Sequence, residues 1–208
     1  MDRVSTSDSV LDQSASALLA DLASRRLSAE ALMVATLDRI AERNPAVNAV
    51  VGLADPGALL AQARALDAGP VMGPLHGLPL AIKDLVNVQG IRSTRGSPIF
   101  ADFVPESDDV LAARLRASGA ILIGKTNVPE FGLGSHTFNP VYGRTNNPYN
   151  PARTCGGSSG GAGVALALGM VALADGSDMM GSLRNPAAWS NVYGFRPSWG
   201  RVPAEPVQ

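Results

Sequence analysis

The chain has 208 residues, of which 46% are hydrophobic and 17% charged, with a formal net charge of -1 at pH 7. This balance argues against a strongly basic nucleic-acid surface and against an acidic tail. Its 22 glycines and 15 prolines are too few for a disordered or collagen-like chain, and the length allows a sizeable core. Lysine is rare, because only Lys83 and Lys125 occur and the other 15 basic residues are arginines.

The single cysteine, Cys155, excludes an intrachain disulfide and a cysteine-based metal cage, and it favours a reducing compartment. The polar N-terminus lacks a signal-peptide pattern, and the apolar stretch 164–174 is too short to span a bilayer. We therefore expect a cytoplasmic protein that acts on neither a membrane nor, directly, a nucleic acid.

Hydrophobic spacing predicts two helices over residues 14–43, the second capped by Ser28 and stopped by Asn44-Pro45. A third helix is predicted from Asp55-Pro56 to Ala68. The remaining predicted elements are buried strands at 78–82, 120–124 and 171–174, and helices at about 109–118 and 160–168. Helices that alternate with short apolar strands predict an α/β layered sheet.

Lys83 stands at the end of the apolar run LPLAI. Burial lowers the pKa of a lysine and favours the neutral amine, which can act as a general base. The alternative is that the stem packs while the charged head reaches water or pairs with Asp84.

The segment TCGGSSGGAG, residues 154–163, carries Ser158 and Ser159 between two pairs of glycines. Glycines let the backbone approach a ligand closely. A flexible linker is disfavoured because an apolar helix follows at once. An anion-binding nest is a further alternative, weakened by the missing lysine of a phosphate-binding loop.

The segment DGSDMMGSLRNP, residues 175–186, follows an apolar stretch and places Ser182 directly after Gly181. Successive N–H groups in such a turn can point at one spot, as an oxyanion hole requires. Asp178 and Arg184 could brace the turn through charge-assisted hydrogen bonds. Alone, the segment also fits an ordinary loop between a strand and a helix.

Together the three segments indicate one chemistry. A serine is a weak nucleophile unless a base takes its proton, and Ser182 has no histidine partner in a recognised arrangement. A second serine, Ser158, could pass the proton to a neutral Lys83. This combination resembles the amidase signature family, through segments at 77–84 (GLPLAIKD), 124–131 (GKTNVPEF), 147–161 (NPYNPARTCGGSSGG), 175–188 (DGSDMMGSLRNPAA) and 194–203 (GFRPSWGRVP).

The resemblance implies hydrolysis of a carboxamide through an acyl-enzyme, with no metal or organic cofactor. Ser182 would be the nucleophile, Ser158 the bridging serine after a cis peptide, and Lys83 the base. The other residues with an implied role are the oxyanion or substrate-binding group Met179, Met180, Gly181 and Gly132, and the supporting group Ser159, Asp178 and Arg184. Met180 replaces a glycine of the family pattern, from which we expect an altered substrate preference.

The resemblance also implies a mixed sheet flanked by helices, with a helical lead-in over 1–70 and a partial catalytic core over 71–208, in one continuous domain. Family members are longer, so we expect a sheet and a pocket that are incomplete at the C-terminus. A homodimer or another chain could complete them. The alternatives are the glutaminase component of a tRNA-dependent amidotransferase, against which Met179-Met180 argues mildly, and an inactive truncated chain.

Other candidate residues receive structural interpretations. Cys155 and His76 are expected to be packed residues and Lys125 a satisfied structural charge, whereas His136 could face the substrate. Three aromatic residues are predicted to lie in the core: Trp189, Phe195 and Trp199.

Overall fold

The computed structural model describes residues 10–203. Its helices are α1 (Ala15–Ala23), α2 (Ala29–Val47), α3 (Pro56–Ala68), α4 (Val110–Ala117), α5 (Gly160–Ala167) and α6 (Arg184–Trp189). Its strands are β1 (Val50–Val51), β2 (Pro79–Lys83), β3 (Ile121–Thr126), β4 (Phe138–Asn139) and β5 (Gly143–Arg144). Short 3-10 helices span Pro98–Phe100 and Glu130–Gly132.

The main sheet has the strand order β1-β3-β2. Strand β2 runs parallel to β3, and β1 runs antiparallel to it. Every residue of β2 and β3 is buried, which fits the apolar run in each strand and a sheet covered on both faces. The predicted α/β class and the two buried strands at 78–82 and 120–124 are therefore confirmed. Strands β4 and β5 form a separate antiparallel pair.

The prediction of a third strand at 171–174 is wrong. In the described part of the chain this segment touches the sheet through one parallel bridge, between Ala174 and Ala81. A ladder requires pairing over several consecutive residues, and an apolar run alone does not provide a partner. The segment nevertheless extends beside β2 and brings the following turn to the end of that strand.

Helix α2 begins where Ser28 predicts, because the Ser28 side chain accepts a hydrogen bond from the Ala31 N–H. The predicted stop at Asn44-Pro45 is wrong, since α2 continues to Val47 with Pro45 inside it. A proline in the last turn removes only one backbone donor. The helix ends instead at Asn48, whose left-handed conformation directs its N–H to the Asn44 carbonyl.

Helix α5 lies against the sheet at a distance that only glycine allows. A Cβ on Gly161 would lie 2.6 Å from the Ala49 carbonyl oxygen and would also overlap the Asn127 amide. A Cβ on Gly160 would lie 2.7 Å from the Cys155 sulfur. The glycines after Ser158 and Ser159 therefore seat the start of α5 on the sheet, which fixes both serines beside the end of β2.

The prediction that three aromatic residues lie in the core is wrong. The exposed fractions of Trp189, Phe195 and Trp199 are 45%, 66% and 102%. The segment 191–203 forms neither helix nor strand, so nothing carries its aromatic rings into the core. Over the described residues, no helix is long and apolar enough to cross a membrane.

Candidate active site

Strand β2 delivers Lys83 to the centre of the candidate site. The residue is buried, with 1% of its surface exposed. Its backbone N–H donates to Asp175 Oδ1 at 2.7 Å, which ties the end of the strand to the turn that follows residues 171–174. The base candidate is thus held by a strand rather than by a mobile loop.

Three serine hydroxyls surround the Lys83 ammonium. The Nζ atom lies 2.8 Å from the Oγ atoms of Ser158, Ser159 and Ser177. Ser158 and Ser159 are themselves buried. The peptide between Gly157 and Ser158 is cis, as the family resemblance implied. The structure therefore brings Lys83 and the predicted bridging serine into direct contact.

Burial lowers the pKa of Lys83 from 10.5 to about 8. The loss of hydration disfavours the ammonium, and the negative charges of Asp175 and Asp178 oppose this effect only in part. A lysine with this pKa exists partly as the free amine near neutral pH. It can therefore accept a proton from the Ser158 hydroxyl that touches it.

The turn that carries Ser182 is organised by Asp178. The carboxylate of Asp178 accepts the N–H groups of Gly181, Leu183 and Arg184 at 2.8, 3.2 and 3.1 Å. The Arg184 guanidinium adds two further bonds, at 3.0 and 2.9 Å. Hydrogen bonding from Arg184 holds the pKa of the Asp178 carboxyl well below its usual range, so this brace stays ionised.

Ser182 joins the site through its backbone, because its carbonyl accepts the Ser159 N–H at 2.9 Å. Within residues 10–203 its hydroxyl makes no hydrogen bond, so the structure does not connect Ser182 Oγ to Ser158. The N–H groups of Met179, Met180 and Ser182 likewise have no partner in this part of the chain. The Gly181 N–H is already used by Asp178.

Gly132 lies on the other side of Ser158. A Cβ at this position would be 3.7 Å from Ser158 Oγ and 2.7 Å from Leu85 Cδ1. Its φ of +71° also favours glycine. The 3-10 helix that ends at Gly132 therefore borders the candidate site, whereas the side chains of Met179 and Met180 are each 86% exposed.

The other candidate residues, His136 among them, lie outside this contact network. Cys155 is fully buried, and burial raises the pKa of its thiol to about 11, so the residue is packed rather than reactive. Lys125 is buried with its Nζ donating to the Val86 carbonyl and 3.9 Å from the Asp84 carboxylate. His136 is exposed, and its Nδ1 lies 3.0 Å from Thr154 Oγ1.

Sequence reasoning missed two members of the site, Asp175 and Ser177. Both belong to the DGSD stretch that carries Asp178. The signal that could have found them is their place in the sequence, because the Asp175 carboxylate and the Ser177 hydroxyl follow the apolar run 171–174. Their contacts with Lys83 depend on the path of the turn, which the spacing alone does not give.

An open groove of about 540 Å³ adjoins the site. Its lining includes Ser159, Asp175 and Gly176 and is otherwise largely apolar, with Leu183 and Phe195 among its residues.

Comparison with known proteins identifies the family to which this chain belongs. A family model described as "Amidase" matches residues 31–208, so the chain belongs to the amidase family. Solved structures of amidase-signature enzymes share its fold. A structure described as the crystal structure of an amidase is 39% identical, with a TM-score of 0.85, and the match covers 93% of this chain and 45% of that one.

A bacterial aryl acylamidase of the amidase signature family matches with the same TM-score, 35% identity and coverage of 93% and 41%. Among curated relatives, a glutamyl-tRNA(Gln) amidotransferase subunit from Azoarcus sp. (strain BH72) is 45% identical over 196 residues. This match covers 93% of the chain and 40% of the relative. The chain thus spans about 40% of the length of the curated relatives it matches.

Proposed function

We propose that this chain carries the catalytic residues of an amidase that hydrolyses a carboxamide through an acyl-enzyme on Ser182. The observation that carries the proposal is the 2.8 Å contact between Ser158 Oγ and the Nζ of Lys83, a buried lysine whose pKa is lowered to about 8. Such a pair can accept a proton from a third hydroxyl without a histidine.

Acylation begins with neutral Lys83 accepting the Ser158 proton as Ser158 Oγ takes the proton of Ser182. Ser182 Oγ then forms a bond to the carbonyl carbon of the substrate, and the carbonyl π electrons move to its oxygen. The unpaired N–H groups of Met179, Met180 and Ser182 are the donors available to stabilise this oxyanion. When the oxyanion collapses, the C–N bond breaks and Lys83 returns a proton through Ser158 to the leaving nitrogen.

Deacylation uses the same relay on water. Lys83, again neutral, accepts the Ser158 proton while Ser158 takes one from a water molecule, whose oxygen attacks the acyl carbon. Collapse of this second oxyanion breaks the ester bond, and the returning proton regenerates the Ser182 hydroxyl. The products are a carboxylic acid and ammonia or an amine. The chemistry of these steps requires no metal or organic cofactor.

A second candidate function is the glutaminase step of a tRNA-dependent amidotransferase. It is favoured by the 45% identity to the glutamyl-tRNA(Gln) amidotransferase relative from Azoarcus. In that case the substrate amide is glutamine, and the chain works with partner proteins. The exposed apolar side chains of Met179 and Met180 next to Ser182 favour an apolar amide instead.

The test compares the 208-residue chain with its Ser182→Ala variant. A fluorophosphonate probe should label the chain at Ser182 as the Oγ–P bond forms and fluoride leaves, and a panel of aryl, aliphatic and glutamine amides should report release of amine or ammonia. Ser182→Ala should abolish both signals without loss of circular dichroism. Ser24→Ala, which removes an exposed hydroxyl at the end of α1, serves as the matched control.

Retained turnover or labelling in Ser182→Ala would overturn the assignment of the nucleophile. Ammonia release from glutamine that depends on the other components of an amidotransferase would support the second candidate over the first. A folded chain that takes up no probe would favour the interpretation that the 208 residues alone are inactive.

A further inference from the structure

Ser177 is the contact of Lys83 to which neither the sequence motifs nor the proposed relay gives a role. Its Oγ lies 2.8 Å from Nζ, as close as the Oγ atoms of Ser158 and Ser159. The residue lies in the turn between Asp175, which holds the backbone of Lys83, and Asp178, which holds the turn of Ser182.

The protonation states of an amine decide what each hydroxyl can do. An ammonium has three N–H donors and no acceptor, whereas a neutral amine has two N–H donors and one lone pair. Lys83 can accept the Ser158 proton only if its lone pair points at Ser158 Oγ. Its two N–H groups must then point at the other two oxygens, those of Ser159 and Ser177.

The surroundings of Ser159 agree with this arrangement. The Ser159 hydroxyl donates to the Ser177 carbonyl oxygen at 3.4 Å, so its hydrogen is directed away from Lys83 and its lone pairs remain available to an N–H group. Ser159 Oγ also accepts the Ser177 N–H at 3.4 Å. Ser159 therefore accepts one N–H of the neutral amine, and the second has Ser177 Oγ as its partner among the described residues.

We propose, on the basis of the proposed amidase function, that Ser177 is a positioning residue that accepts the second N–H of neutral Lys83 and thereby aims the lone pair at Ser158. Once Lys83 becomes an ammonium, the same three oxygens accept all three of its N–H groups. The amine then need not reorient between the two proton transfers. Without Ser177, the amine can rotate so that an N–H group rather than the lone pair faces Ser158.

The test measures the rate constant of fluorophosphonate labelling from pH 6 to pH 10 in the 208-residue chain. The variants are Ser177→Ala, Ser177→Thr, which keeps the hydroxyl, and the distant control Ser24→Ala. Ser177→Ala should reduce the plateau rate constant about 10- to 100-fold, a part of the roughly 10²- to 10⁴-fold that a positioned base contributes. Ser177→Thr should recover most of the loss, and Ser24→Ala should match the unaltered chain.

The pH profile separates positioning from loss of structure. A hydroxyl that accepts an N–H group of the ammonium favours the charged form, so its removal should move the rising limb of the profile to lower pH. A merely loosened and hydrated site would move that limb upward, toward the ordinary lysine value of 10.5. An upward shift, an unchanged rate in Ser177→Ala, or a Ser177→Thr variant as slow as Ser177→Ala overturns the proposal.

Failure of the proposed function gives a different result. If the unaltered, folded chain takes up no probe, the 208 residues alone are inactive, and if Ser182→Ala is labelled equally, the acyl-enzyme assignment on Ser182 fails; either result removes the basis of the Ser177 proposal. If labelling requires Ser182 and is indifferent to Ser177, the amidase proposal stands and only the positioning role is refuted.

Discussion

Replacing Lys83 by methionine tests the base most directly. Methionine is close to lysine in length and apolar, so it suits a site where 1% of the lysine surface is exposed. The substitution removes the Nζ atom from the three surrounding hydroxyls and keeps the hydrogen bonds by which Asp178 braces the turn of Ser182. The variant should therefore fold and lack the base.

The expected magnitude follows from the pKa of Lys83. With a pKa of about 8, about one lysine in ten is neutral at pH 7, whereas about one in 3,000 would be neutral at the ordinary value of 10.5. Burial thus enriches the free amine about 300-fold. Because the neutral form is the active one, the rate should rise about tenfold for each pH unit below 8 and level off above it.

The assay is the fluorophosphonate labelling rate of Ser182 between pH 6 and pH 10, with amide turnover measured in parallel. At pH 8, Lys83→Met should react about 10²- to 10⁴-fold more slowly than the unaltered chain. Its residual rate should keep rising with hydroxide concentration, without a plateau. Circular dichroism of the variant at each pH serves as the control for folding.

Two results would refute this reasoning about Lys83. A labelling rate of the unaltered chain that still rises tenfold per pH unit up to pH 10, with no plateau above pH 8, would mean that burial does not lower the lysine pKa. A Lys83→Met profile that keeps both the rate and the plateau would mean that another group takes the Ser182 proton.

Two further predictions concern the supports of the site. Asp178→Asn should lower the free energy of unfolding by about 1.5–3 kcal/mol, since it weakens hydrogen bonds that involve an ionised carboxylate. It should also slow labelling of Ser182. Urea denaturation measures the first effect and the fluorophosphonate probe the second. An equal labelling rate would show that the turn keeps its shape without the charge. Gly161→Ala should lower the free energy of unfolding by about 1–3 kcal/mol because its Cβ would meet the Ala49 carbonyl oxygen at 2.6 Å. Gly57→Ala is the control and should be tolerated, since the nearest atom to its Cβ belongs to the flexible Asp55 side chain, at 3.1 Å. Equal urea midpoints for these two variants would contradict the close approach of α5.

The parts of the fold that could be predicted are those that short-range physics decides. Strands β2 and β3 each contain a short continuous apolar run and are buried on both faces, and Ser28 caps α2 through a local hydrogen bond. The end of α2 was missed because it depends on the left-handed conformation of Asn48 beyond Pro45. The segment 171–174 was wrongly predicted to be a strand, because strand pairing depends on a partner that is distant in sequence.

The residues of the candidate site likewise fall into those that could be predicted from the sequence and those that could not. Lys83 and Ser158 could be predicted because each lies in a distinctive local motif, and the structure brings the two into contact. The role of Ser177 could not, because a hydroxyl in a turn acquires meaning only from the direction the backbone gives it. The Gly181 N–H could not be recognised as already occupied, since that depends on where the Asp178 carboxylate lies in space. The exposure of Trp199 could not be predicted either, because an aromatic residue in the sequence does not show which part of the fold covers it.

The hydrogen bond from the Lys83 backbone amide to Asp175 allows amide hydrogen exchange to report on the state of the site. This amide is held by a carboxylate on the turn that also carries Ser177, rather than by a neighbouring strand. Its hydrogen can exchange with solvent deuterium only when that turn moves away from the end of β2, and the same movement takes a hydroxyl from the lysine. The exchange rate of one amide therefore measures how often the base is fully assembled, in the absence of any substrate.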